Sequence, residues 1–67
     1  MNRIQEYRAK AHLKQFTLAI KAGIHPSMLN RIERGVRPNQ ITARKLAYCL
    51  NCKPTDLFED FDQLRSY

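Results

Sequence analysis

Tryptophan is absent from this 67-residue chain, glycine occurs only twice and proline three times. Nothing in it resembles a glycine-rich phosphate loop, a flexible linker or a low-complexity stretch. Two cysteines, Cys49 and Cys52, are too few for the disulfide framework of a small secreted domain. No apolar run reaches the length of a signal sequence or a bilayer span, so a cytoplasmic protein without membrane contact is expected. No nucleophile–base pair stands out. The size leaves no room for a second, ligand-sensing domain, so neither catalysis, a cofactor nor a small-molecule ligand is expected.

Acidic residues are the most informative shortage. Glu6 and Glu33 are the only acids in residues 1–55, against eleven lysines and arginines, whereas residues 56–67 hold Asp56, Glu59, Asp60 and Asp62 against Arg65. The overall charge of +6 is therefore a strongly basic body with a short acidic end, an arrangement suited to a polyanion. The aromatic side chains Tyr7, Phe16, Tyr48, Phe58, Phe61 and Tyr67 are scattered rather than aligned as a stacking platform, which argues against single-stranded nucleic acid. Nucleic acid is one polyanion that suits this balance, and a single strand is the less suited form of it.

Apolar residues recur at helical spacing and nowhere alternate as in a strand. An all-α, compact five-helix domain is predicted. The first helix covers about Arg3–Ala11, with Asn2 and Gln5 approximating a capping box. The second covers Gln15–Ala22 and stops at Gly23. The third starts near His25-Pro26, where proline suits the first helical position, and closes at Gly35. The fourth covers about Ile41–Leu50 with Asn51 as a left-handed stop, and Pro54 opens a short fifth. The expected core is Ile4, Leu13, Leu18, Ala19, Ala22, Ile24, Leu29, Ile32, Leu46, Ala47, Leu50, Leu57 and Phe58.

Residues 15–35 carry the functional signal. Two helices joined by a turn of roughly three or four residues cross at roughly 90–120°. Such a crossing needs a small residue at the contact (Ala19), a positive-φ residue at the turn (Gly23) and apolar seats for the second helix (Ile24, Leu29, Ile32). All are present at the required spacing. With Gln15-x-x-Leu18-Ala19-x-x-Ala22-Gly23-Ile24, Leu29-x-x-Ile32-Glu33-x-Gly35, Leu46-Ala47-x-x-Leu50 and Asp56-Leu57-Phe58, residues 2–58 resemble the Cro and phage-repressor, or XRE, helix-turn-helix family. The resemblance implies a lambda-repressor-like five-helix fold, a recognition helix in the major groove and a homodimer on a palindromic operator. His25 and Pro26 depart from the usual pattern, as do Asn51 in place of glycine and Phe16 at a normally polar site.

Helix geometry then assigns roles. With Leu29 and Ile32 turned inward, Pro26, Ser27, Asn30 and Arg31 face outward and are the candidate base contacts. Lys14, Gln15, Arg34, Arg37 and Asn39, on helix ends and loops around them, are the candidate phosphate contacts. The resemblance further implies that Arg8 pairs with Glu33 to anchor the recognition helix. Cys49 and Cys52 fall where the family has small or apolar core residues. With no second cysteine pair, packing is expected rather than a metal site.

Residues 1–58 are read as the DNA-binding domain and 59–67 as a short acidic and apolar tail. Leu57, Phe61 and Leu64 fall at i, i+4 and i+7, one stripe if the tail is helical, and are the expected dimer interface. The function implied is sequence-specific transcriptional regulation, most simply repression. The alternatives with the same fold are an antitoxin or a controller of restriction-modification genes.

Overall fold

Four left-handed residues punctuate the chain. In the computed structural model, which describes residues 2–67, α1 spans Ile4–Lys10, α2 Gln15–Ala22, α3 Pro26–Glu33 and α4 Gln40–Cys49. Each is followed by one residue at positive φ: His12 (56°), Gly23 (71°), Gly35 (117°) and Asn51 (57°). The hydrogen bonds repeat as well. Leu13 N donates to Arg8 O, Ile24 N to Ala19 O, Val36 N to Arg31 O and Cys52 N to Ala47 O, all at 3.0 Å. These bonds occupy carbonyls that a helix C-terminus otherwise leaves unpaired, and they turn the chain sharply enough for short helices to pack. Glycine is needed least for space here, since an added Cβ at Gly23 would meet nothing within 4 Å; its value is the backbone angle itself.

The helix starts are equally local. Pro26 opens α3 behind His25, whose Nδ1 accepts from Ser27 N at 3.1 Å. Asn39 caps α4, its Oδ1 accepting from Thr42 N at 2.8 Å. The capping box expected from Asn2 and Gln5 does not form, because Asn2 is used elsewhere. Its Oδ1 accepts from Ile4 N at 3.2 Å while its amide donates to Ile32 O at 2.7 Å. That bond ties the start of the chain to the last turn of the third helix.

Helix α4 lies at the centre, packed on α2, on a single-turn α5 (Pro54–Leu57) and on a 3-10 turn at Phe61–Gln63. The expected core residues are buried except Leu13 and Ile24, which are half-buried against it; Ala43, Phe61 and Leu64 complete it. No strand occurs among the described residues.

Two expectations about the C-terminal end require correction. A helix through residues 57–64 would have set Leu57, Phe61 and Leu64 on one exposed stripe. The helix instead breaks at Phe58, which is extended (φ −129°, ψ 106°). The 3-10 turn folds the chain back, and Leu57, Phe61 and Leu64 are 1%, 8% and 6% exposed within their own domain. They are therefore unavailable as a dimer stripe. Residues 59–67 are likewise no appendage beyond Phe58: Gln40 N donates to Arg65 O at 2.6 Å and Gln40 Nε2 to Phe61 O at 3.3 Å. A domain this small cannot cover its core without them.

Phe61→Ala is accordingly expected to cost about 3–5 kcal/mol, the range for truncating a buried phenylalanine. Urea unfolding followed by circular dichroism measures it. A change within about 0.5 kcal/mol, as for a surface position, would return these residues to the status of a loose tail.

Candidate nucleic-acid interface

Helix α3 presents two unlike faces. Leu29, Ile32 and Glu33 are buried, while Ser27, Met28, Arg31 and Arg34 are exposed and Pro26 and Asn30 half-buried. The four candidate base-contact residues thus share the outer side of one helix. Met28, 47% exposed, belongs to that side as well. It is a residue sequence reasoning missed, although the helical periodicity that placed Ser27 and Arg31 outward includes it.

Ser27 and Asn30 do not stand free. The Ser27 hydroxyl lies 2.7 Å from His25 Nδ1. Because that nitrogen accepts the Ser27 backbone N–H, the hydroxyl donates to it. Asn30 Nδ2 donates to Gln15 Oε1 across a long 3.5 Å. This links the outer side of α3 to the first residue of α2, where Gln15 was assigned to phosphate. Arg31 protrudes without a carboxylate partner. Lys14, Arg31 and Arg34 have no acidic group within 4.0 Å among the described residues. Arg37 does have one, its Nη2 lying 2.6 Å from Asp60 Oδ2. Asn39, half-buried, spends its carbonyl oxygen capping α4 and keeps its amide N–H groups.

Behind this surface lies Glu33, the one buried charged side chain among the described residues. Arg8 grips it in a fork, Nε to Oε2 at 2.8 Å and Nη2 to Oε1 at 3.0 Å, and Arg8 Nη1 donates to Leu13 O at 3.1 Å. The Glu33 side chain is 1% exposed and that of Arg8 19%. A carboxylate in the last turn of a helix faces the negative end of the helix dipole, so Glu33 is tenable there only with a cation held against it. No buried side-chain polar atom lacks a hydrogen-bond partner among the described residues.

The cysteines lie at the opposite end of α4 from Asn39, Cys49 as its last residue and Cys52 just beyond it. Cys49 and Cys52 are free and half-buried, packed against the core. Burial pushes the Cys52 thiol above its ordinary range, and the Asp56 carboxylate pushes it the same way. Both favour the unreactive thiol over the thiolate. Among the described residues no three His, Cys, Asp or Glu side chains converge as a metal site, and no helix is long and apolar enough to cross a membrane.

A helix-turn-helix family profile matches residues 4–57, from the start of α1 to the end of α5. The chain belongs to this family. Its type is that of the lambda repressor, or XRE, and its all-helical fold is the lambda-repressor-like one. No curated protein matches the chain. At the level of the family, this helix-turn-helix domain is that of sequence-specific DNA-binding regulators of transcription, and duplex DNA is the partner.

Two outcomes follow for the helix-turn-helix domain. Arg8→Ala leaves Glu33 buried and unpaired and is expected to cost about 3–5 kcal/mol, whereas replacing both members with apolar side chains of similar size should cost far less or nothing. Chemical denaturation of the two variants separates these cases; equal losses would mean that the bonds of the pair itself, not the stranded carboxylate, carry the cost. At mildly alkaline pH, iodoacetamide should modify Cys52 more slowly in the folded protein than in the urea-unfolded chain, as mass spectrometry of the labelled peptide would reveal. Equal rates would contradict the raised thiol.

Proposed function

We propose that the chain is a transcriptional repressor that binds a palindromic operator as a homodimer, reading the major groove with α3. The observation that carries this reading is the outer side of α3. It offers polar, basic and small apolar groups at the helix start, and Lys14, Arg31 and Arg34 have no acidic group within 4.0 Å among the described residues.

Arg31 presents two parallel donors suited to the O6 and N7 of guanine. Asn30 serves adenine or, through Gln15, a phosphate. Ser27 can exchange its bond to His25 for one to a base edge, and Pro26 offers apolar contact to a thymine methyl. Lys14, Gln15, Arg34 and Asn39 bind the flanking phosphates, positioning the helix without reading sequence. Arg37 joins them by trading Asp60 for a phosphate. Repression needs nothing more than occupancy of the operator, and no catalytic step enters. One recognition helix reads only a few base pairs. Two copies with their α3 helices about 34 Å apart, one turn of duplex, provide the missing specificity.

A footprint on the DNA upstream of the protein's own gene tests the function directly. Arg31→Ala should lose about 1–3 kcal/mol of discrimination at one base pair of each half-site while binding to unrelated DNA changes little. Lys14→Ala should weaken all sequences alike. If Arg31→Ala discriminated as well as the parent, α3 would not be the reading helix.

A further inference from the structure

Arg65 stands alone among acids in the sequence, as Asp56, Glu59, Asp60 and Asp62 all precede it, and nothing there connects it with residues 14–39. The fold makes the connection. The 3-10 turn reverses the chain, Leu64 anchors in the core, and the carbonyl of Arg65 accepts Gln40 N at the first turn of α4. There Arg65 walls a cleft of about 280 Å³ together with Arg31 of α3, Arg37 and Asn39 of the connecting loop, and Thr42 of α4.

We propose that Arg65 is a phosphate-binding residue of the DNA interface, delivered by the returning C-terminal segment to the edge of the recognition surface. This rests on the reading of α3 as the DNA-binding helix.

Three observations converge. The first is placement, since the cleft contains Arg31, Arg37 and Asn39, three of the residues assigned to bases or phosphates on independent grounds. The second is charge state. The Arg37 guanidinium is engaged by Asp60 at 2.6 Å and must give up that partner to meet a phosphate. Arg65 has no carboxylate within 4.0 Å among the described residues, so its charge is available at once. The third is order. A cation on a frayed end loses much of its contact energy to conformational entropy on binding. Arg65 follows a buried leucine and is itself fixed through its carbonyl, so little more ordering is required. The ligand class is the DNA backbone phosphate, on the side of the half-site where α4 begins.

Arg65→Ala keeps the carbonyl that meets Gln40, so the fold should survive; a melting curve superimposable on the parent's verifies that. The test is the salt dependence of operator binding by fluorescence anisotropy, with Lys14→Ala as the reference for a lost phosphate contact and Arg65→Lys as the charge-retaining variant. Arg65→Ala should lower the slope of log K against log salt by about 1. The affinity gap to the parent should therefore widen by about 3.5-fold between about 200 and about 50 mM salt, and Arg65→Lys should restore most of the slope. A parental slope and affinity in Arg65→Ala, with Lys14→Ala impaired, would overturn the proposal and leave the DNA-binding reading intact. If the parent's own binding showed no salt-dependent preference for operator over unrelated DNA, both would fall together.

Discussion

The Arg8–Glu33 pair is the interaction on which the arrangement of the domain depends. Helix α1 contributes a single fully buried side chain, Ile4, too little apolar surface to hold a two-turn helix by itself. The guanidinium adds what packing does not, donating to both carboxylate oxygens of Glu33 and to the carbonyl of Leu13. Its three bonds reach the end of α3 and the turn that leads into α2. One side chain thus fixes the relation between Lys14 and Gln15, proposed for phosphate, and the helix proposed to read bases. Isolated buried ion pairs often add little net stability because desolvation offsets their attraction. Here the geometry imposed on two helices is the larger return.

Charge is partitioned by the fold rather than by the sequence alone. The acidic C-terminal end wraps onto the basic body, placing Glu59 at 3.4 Å from Arg3 and Asp60 at 2.6 Å from Arg37. Exposed pairs of this kind contribute about 0–1 kcal/mol each, so their effect on stability is small. Their electrostatic effect is greater. They mute Arg3 and Arg37, whereas Lys14, Arg31, Arg34 and Arg65 have no acidic group within 4.0 Å among the described residues and keep their full contribution to the local positive potential.

Much of this was legible in the sequence. Helical periodicity located all five helices, and Gly23, Gly35 and Asn51 marked three of the four left-handed stops. The fourth, His12, was not evident, because histidine tolerates that conformation without requiring it. The outward residues of α3 followed from Leu29 and Ile32, and the same pattern held Met28. The C-terminal end was misread for a definite reason. Spacing at i, i+4 and i+7 implies a stripe only if the helix continues, and whether it continues past Phe58 depends on the space left beside α4, which is a tertiary matter. The placements of Asp60 and Arg65 were illegible on the same account, since both depend on how the chain turns back.

The two ends of the fold close on each other. Arg3 N donates to Leu57 O at 3.0 Å, Asn2 reaches Ile32 O, and Leu64 and Phe61 seal the core from the far side. During synthesis the first helix therefore emerges long before the surfaces that receive it. Arg3 has no Leu57 carbonyl to meet, and α4 lacks the cover of α5 and of the 3-10 turn, until those residues have been made. Completion of the core therefore waits on Phe61 and Leu64, and a fragment ending anywhere before Leu64 leaves that core open to chaperones and proteases.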